Sequence, residues 1–126
     1  MRRVTGLGGV FFKSEDPERL YTWYETHLGL QRSVGGVDFH WRESEGEGRG
    51  KTVWAVFEKN TSYFAPSAAP FMLNYRVDNL DALLEQLRAE GVWIDPHRED
   101  HDYGRFAWIM DPDGNRIELW EPPKGS

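Results

Sequence analysis

The residues of this 126-residue chain that could do chemistry crowd toward its C-terminal end. Arg116, Glu118 and Trp120 alternate along one run, so a strand there points all three to the same side. The same alternation over 105–110 sets Phe106, Trp108 and Met110 against Ala107 and Ile109. Over 71–77 it sets Met72, Asn74 and Arg76 against Leu73, Tyr75 and Val77, and over 10–13 it separates Val10 and Phe12 from Phe11. If the aliphatic sets face helices, the other face collects Phe11, Phe57, Phe106 and Trp108 with Asn74, Arg76, Arg116 and Glu118. Rings with a few polar groups on a concave face make a small-molecule pocket, so these side chains are the candidate ligand-binding set. Glu118 is the candidate catalytic group. Burial in an apolar cup would raise its proton affinity toward base chemistry, and Arg116 nearby would lower it. The competing reading is a second core or a dimer interface, with Arg116 and Glu118 as a solvated ion pair.

Other reactive groups carry less. There is no cysteine, which excludes disulfides, thiolate metal sites and a Cys nucleophile. His40 falls on a predicted strand, where it could join Glu118 or simply be half exposed. His27 falls in the last turn of a predicted helix, where a cation suits the helix end. His97 and His101 fall with Asp95, Glu99, Asp100 and Asp102 in a predicted polar loop, a surface metal trap without rigid spacing. Gly6, Gly8 and Gly9 precede a strand rather than open a helix, which argues against a phosphate loop. Tyr63 and Phe64 lie in a connector that either packs down or covers the cup.

Charge narrows the partners. Lys plus Arg is 15 and Asp plus Glu is 21, a net charge of −6. An acidic chain repels phosphate backbones, so no nucleic-acid partner is expected. No apolar run approaches the ~20 residues of a membrane helix, so no membrane partner is expected. The N-terminal residues lack the apolar stretch of a secretory signal, and a cytoplasmic location is expected.

The elements that must position these groups repeat. Residues 10–13 read as a strand. Asp16 then caps a helix with Pro17 in its first turn and Glu18 at its positive end; Leu20, Tyr24, His27 and Leu28 fall at helical spacing, and Gly29 ends it. Residues 37–42 and 52–58 read as strands around a Gly-rich hairpin loop at 44–50. After the connector the order restarts: a strand at 71–77, a cap at Asp78 or Asn79, and a Leu80, Leu83, Leu84, Leu87 stripe closed by Gly91. A strand at 92–94, a polar loop to Asp102, and strands at 105–110 and 116–121 follow, the last two joined by the Asp111–Gly114 turn. A shift of about 63 residues lays Leu20 on Leu83 and Tyr24 on Leu87, a repeat of pattern more than of sequence.

Three stretches resemble one superfamily. GGVFFKSEDPERLYTWYETHLGL and NYRVDNLDALLEQLRAEGV are similar to its two βα units, and DPDGNRIELWEP to its closing hairpin. This is the vicinal oxygen chelate superfamily, which includes glyoxalase I, bleomycin-resistance proteins and extradiol dioxygenases. The resemblance implies an α+β fold in which two βαβββ modules, 1–60 and 71–126 with a connector at 61–70, form one curled eight-stranded mixed sheet. Helices lie outside this cup, and chains pair as a homodimer. It also implies four positions from which the metal enzymes of the superfamily grip a divalent ion. Here they fall on Gly9, Ala55, Met72 and Glu118, so no metal and no cofactor is expected. The function implied is a glyoxalase- or bleomycin-resistance-like protein binding a small organic ligand. The alternative is a metal-dependent lyase, isomerase or dioxygenase with an altered ligand set, and whether any reaction is catalysed stays open at this level.

Overall fold

The computed structural model of the chain describes residues 3–42 and 49–124. The elements run β1 (Gly6–Ser14), α1 (Pro17–Leu28), β2 (Val37–Arg42), β3 (Arg49–Glu58), β4 (Phe71–Arg76), α2 (Leu80–Ala89), β5 (Ile94–His101), β6 (Gly104–Met110) and β7 (Arg116–Glu121). All strands join one 7-stranded open sheet in the order β2-β3-β1-β4-β7-β6-β5. The pairs β1–β3 and β4–β7 are parallel and the rest antiparallel, so the α+β fold with a mixed sheet is as expected. The antiparallel pair of β1 and β4 stitches the first half to the second at the middle of the sheet.

Two expectations change. Among the described residues there are seven strands, not eight. Between α1 and β2, where a further strand would complete the first unit, only an isolated bridge joins Ser33 to Gly36. Gln31, Arg32, Ser33, Gly35 and Gly36 offer that segment little apolar alternation to hold on a sheet. The polar loop expected before Asp102 is instead strand β5. It is an edge strand, where charged side chains and a proline are tolerated, and its register is broken between Ile94 and Arg98, around Pro96. Most of the expected 44–50 hairpin loop lies outside the described residues.

The helices form where their caps dictate. The Asp16 side chain accepts from Arg19 N at 3.1 Å, and Gly29 closes α1 in the left-handed region at φ 70°. Asn79, rather than Asp78, caps α2 and accepts from Ala82 N at 3.0 Å. The α2 leucines Leu80, Leu83, Leu84 and Leu87 are all buried, as their spacing requires. They pack on Val77, Ala107 and Leu119, the aliphatic side of β6 and β7. Helix α1 is turned from the expected stripe: Tyr21 is buried, while Leu28 is 61% exposed. Tyr21 and Tyr24 both edge against Trp54, and the Tyr21 hydroxyl accepts from Val56 N at 2.9 Å. That hydrogen bond seats the tyrosine, which explains why the apolar pattern alone misplaces the face. The opposite side of the sheet carries a separate cluster of Phe11, Ala55, Phe64, Met72, Phe106, Trp108 and Trp120.

Candidate functional site

This second side is hollow. A cavity of about 780 Å³ opens on it, lined among others by Phe11, Phe57, Phe106, Trp120, Asn74 and Glu118. Strand register builds its floor. Asn74 of β4 pairs with Glu118 of β7, Gly9 of β1 with Asn74, and Trp108 of β6 with Glu118.

Glu118 is 2% exposed, yet both of its oxygens are satisfied. Oε1 accepts from Asn74 Nδ2 at 2.5 Å. Oε2 accepts from Trp108 Nε1 at 3.0 Å and also from the Tyr63 hydroxyl. Burial pushes the Glu118 carboxyl above the usual carboxylate range, against the opposing pull of those three donors and of Arg116. Burial also raises the Tyr63 hydroxyl, helped by the charges of Glu118 and Glu99, so Tyr63 stays protonated and donates. The result is a carboxylate on the cavity floor that holds a proton more readily than a surface glutamate does.

Gly8 makes room for this arrangement. A Cβ there would fall 2.1 Å from Asn74 Oδ1 and 3.1 Å from the Trp120 ring. The Asn74 amide occupies the space a side chain on β1 would take.

The expected site residues divide. Phe11, Phe57, Asn74, Phe106 and Glu118 all line the cavity. Trp108 is 1% exposed and sits behind the floor, acting through its hydrogen bond to Glu118. Arg76 and Arg116 are not brought into the lining. Arg76 is held between the Trp41 and Trp120 rings at 5.4 and 5.2 Å. Arg116 donates to the carbonyls of Tyr63, at 3.0 Å, and Ala65, and pairs with Asp95 at 3.3 Å. It pins the connector to the sheet. Of the histidines considered, His40 is exposed on β2 and His27 on α1.

Three kinds of lining residue stand outside the expected binding set. Trp120 alternates with Glu118 and was legible by the same rule that found Glu118. Tyr63 comes from the connector, stacks on Phe57 at 5.4 Å and is placed only by tertiary contact. Asp38, Lys51, Glu99 and His101 stand on β2, β3 and β5 and add polar groups to the walls. Lys51 lies 3.8 Å from Asp38. The lining thus sets three carboxylates, Asp38, Glu99 and Glu118, against one ammonium.

The model of the Glyoxalase/Bleomycin resistance protein/Dioxygenase superfamily matches residues 7–119. The chain belongs to this superfamily. No curated protein sequence matches it significantly. Among solved structures it resembles methylmalonyl-CoA epimerase from Mycobacterium tuberculosis, at 22% identity and TM-score 0.63, over 98% of this chain and 91% of that one. A Streptomyces coelicolor methylmalonyl-CoA epimerase variant bound to 2-nitronate-propionyl-CoA aligns at 14% identity and TM-score 0.71, over 98% of both chains. A structure described as an NAD-dependent benzaldehyde dehydrogenase from Legionella pneumophila aligns at 17% identity and TM-score 0.58, over 91% of this chain and 98% of that one. At such identities the likeness speaks for the fold, and function must be argued from the site.

The metal positions implied by the superfamily resemblance can be tested against the side chains present. Gly9 has none, Ala55 and Met72 belong to the apolar cluster, and Met72 is fully buried. Only Glu118 offers oxygen, and three donors already occupy most of its acceptor sites, leaving room for about one more. Among the described residues no three His, Asp or Glu side chains converge closely enough to hold an ion. A hard divalent ion at a catalytic site usually takes about three protein ligands, so this donor set does not fit one.

Proposed function

We propose that the chain binds a small aromatic organic molecule in this cup, with Glu118 as its polar anchor and proton acceptor. We propose further that it does so as a cytoplasmic homodimer, and without a divalent ion at the superfamily's metal positions. The observation that carries the reading is the buried carboxylate on the floor of a ring-lined cavity of about 780 Å³. Such a cavity takes a planar apolar body, and the carboxylate takes one hydrogen-bond donor from it. The acidic lining favours a neutral or cationic ligand over a carboxylic acid. Membership of the superfamily supports pairing with a second chain.

Tryptophan fluorescence tests the reading, because Trp120 lines the cavity. Saturable quenching by neutral or cationic aromatic compounds is expected, weakened about tenfold in Phe57→Ala. An aromatic panel that gives no saturable quenching sinks the binding claim. Elemental analysis of protein purified without chelator tests the metal claim, and stoichiometric Ni, Zn, Fe or Mn overturns it. Sedimentation as a monomer overturns the dimer.

A second reading is supported by the raised proton affinity of Glu118. A carboxylate so placed is suited to abstract a proton next to a carbonyl, as in a lyase or isomerase. The fold likeness to methylmalonyl-CoA epimerases supports looking for it. Solvent-deuterium exchange into α-protons of bound carbonyl compounds, lost in Glu118→Gln, separates an enzyme from a binder.

A further inference from the structure

The wall beside Glu118 holds a second polar device. On β5 the residues His97, Glu99 and His101 alternate, so all three side chains stand on one face of the edge strand. The Glu99 carboxylate lies between the two rings, with Oε1 2.7 Å from His101 Nε2 and Oε2 2.8 Å from His97 Nε2. Hydrogen bonds from His101 and then His97 hold Glu99 below the usual carboxylate range, so it is a fixed negative charge at neutral pH. The His97 ring stacks on Trp108 at 5.5 Å and 19°, and the His101 ring on Tyr103 at 4.8 Å and 12°. Phe106 stands 6.1 Å from His101. Both rings are therefore fixed in plane as well as by the carboxylate.

Glu99 and His101 line the cavity, and His97 does not. A carboxylate on Nε2 makes that nitrogen the one that carries the proton in neutral imidazole, and leaves Nδ1 with a lone pair. Nδ1 of His101 makes no hydrogen bond to a described residue. An imidazole on the cavity lining whose Nε2 is fixed by a carboxylate, with Nδ1 unused by any described residue, is arranged to accept a proton or a hydrogen bond.

We propose that the His101–Glu99 pair is a second ligand-binding group of the cup, taking a hydrogen bond from a hydroxyl of the aromatic ligand. The inference rests on the proposed small-molecule reading and adds the ligand's class: a phenol or aromatic alcohol. His101 stacked with Tyr103 supplies a flat wall for the ring, and Nδ1 supplies the acceptor at its edge. Glu118 anchors the ligand from the floor and His101 from the side. No covalent step is involved; the ligand's O–H bond polarises toward Nδ1, and on full transfer the proton rests there while the phenolate keeps the electron pair.

The test uses 4-chlorophenol and its methyl ether 4-chloroanisole, both neutral at neutral pH and differing chiefly in the donor hydrogen. Titration calorimetry on the full chain is expected to show the phenol binding about tenfold more tightly than the ether, the worth of one hydrogen bond to such a group. His101→Phe keeps a ring to stack on Tyr103 and is expected to bring the ratio close to one. Glu99→Gln is expected to lower it about threefold. Glu118→Gln is expected to leave the ratio standing, because the single hydroxyl of the phenol goes to His101 and the ether has no donor for Glu118. Should His101→Phe fold poorly by circular dichroism, His101→Gln replaces it. A ratio near one in the unaltered protein overturns the proposal, as does a ratio that survives in His101→Phe and disappears in Glu118→Gln; in either case the cup still binds. Binding of neither compound overturns the small-molecule reading and this inference together.

Discussion

One sheet carries two unlike layers, and the contrast separates what holds this protein together from what it uses. On the helix side, Leu80, Leu83, Leu84 and Leu87 close over Val77, Ala107 and Leu119. The side-chain packing of this cluster is apolar, and burial of each leucine contributes roughly 1.5–3 kcal/mol. On the cup side, the rings of Phe11, Phe57, Phe106 and Trp120 leave a hollow, and a carboxylate with three donors sits at its base. That layer holds a buried charge and open space, both of which cost stability. A face that tolerates such costs is one selected for something other than folding.

The comparison can be broken at several points. Leu80→Ala is expected to cost the most, about 3 kcal/mol by urea denaturation, because Leu80 is fully buried under α2. It should leave aromatic binding unchanged after allowance for the unfolded fraction; a matching loss of affinity would show the layers to be coupled. Glu118→Leu is expected to cost about 2 kcal/mol. It strands the Tyr63 hydroxyl, the Asn74 amide and the Trp108 N–H, while relieving a buried charge. An unchanged urea midpoint would mean that water satisfies those donors. Phe57→Ala removes only a partly buried ring and should cost about 1 kcal/mol in stability. The reverse order for Leu80 and Phe57 would erase the distinction between the layers.

The pH dependence is a smaller effect with a definite sign. Glu118 binds its proton more tightly folded than unfolded, so the native state holds more protons above the ordinary carboxylate range. Stability should fall as pH rises from that range to the raised value, and Glu118→Gln should remove this part of the profile. Asp81, held down by Arg98, has the opposite sign, its contribution being lost as pH falls below the ordinary carboxylate range, but it is exposed and screened. A Glu118→Gln profile parallel to the unaltered protein would sink the assignment. Smallest of all is Arg3→Ala, which breaks an exposed pair with Glu90 and should change stability by under about 0.5 kcal/mol.

Much of this contrast was legible before any coordinates. Alternation placed Asn74, Phe106 and Glu118 on one face and Ala107 and Ile109 on the other, because side-chain direction in a strand has a period of two whatever the fold. Caps at Asp16 and at Asp78 or Asn79, and the turn at Gly29, were equally local, though only the structure chose Asn79. Strand β5 was not legible: its charges and Pro96 read as a loop, since a single sequence does not say which strand lies at an edge. The absence of Arg76 and Arg116 from the lining was not legible either, for a related reason. Alternation puts them on the cup side, but their long side chains turn to Trp41 and Trp120, and to the connector carbonyls.

By itself, the order of residues determined most of the element types, β5 excepted, the two-sided patterning of the strands and the superfamily. These rest on backbone periodicity and on hydrogen bonds between near neighbours. Tertiary structure alone decided that Tyr63 reaches Glu118 across 55 positions and that Glu99 and His101 enter the cavity wall. It also decided that Gly8 yields its side-chain space to Asn74. Those depend on which strands become neighbours and how far the sheet curls, and both are set by packing of the whole chain.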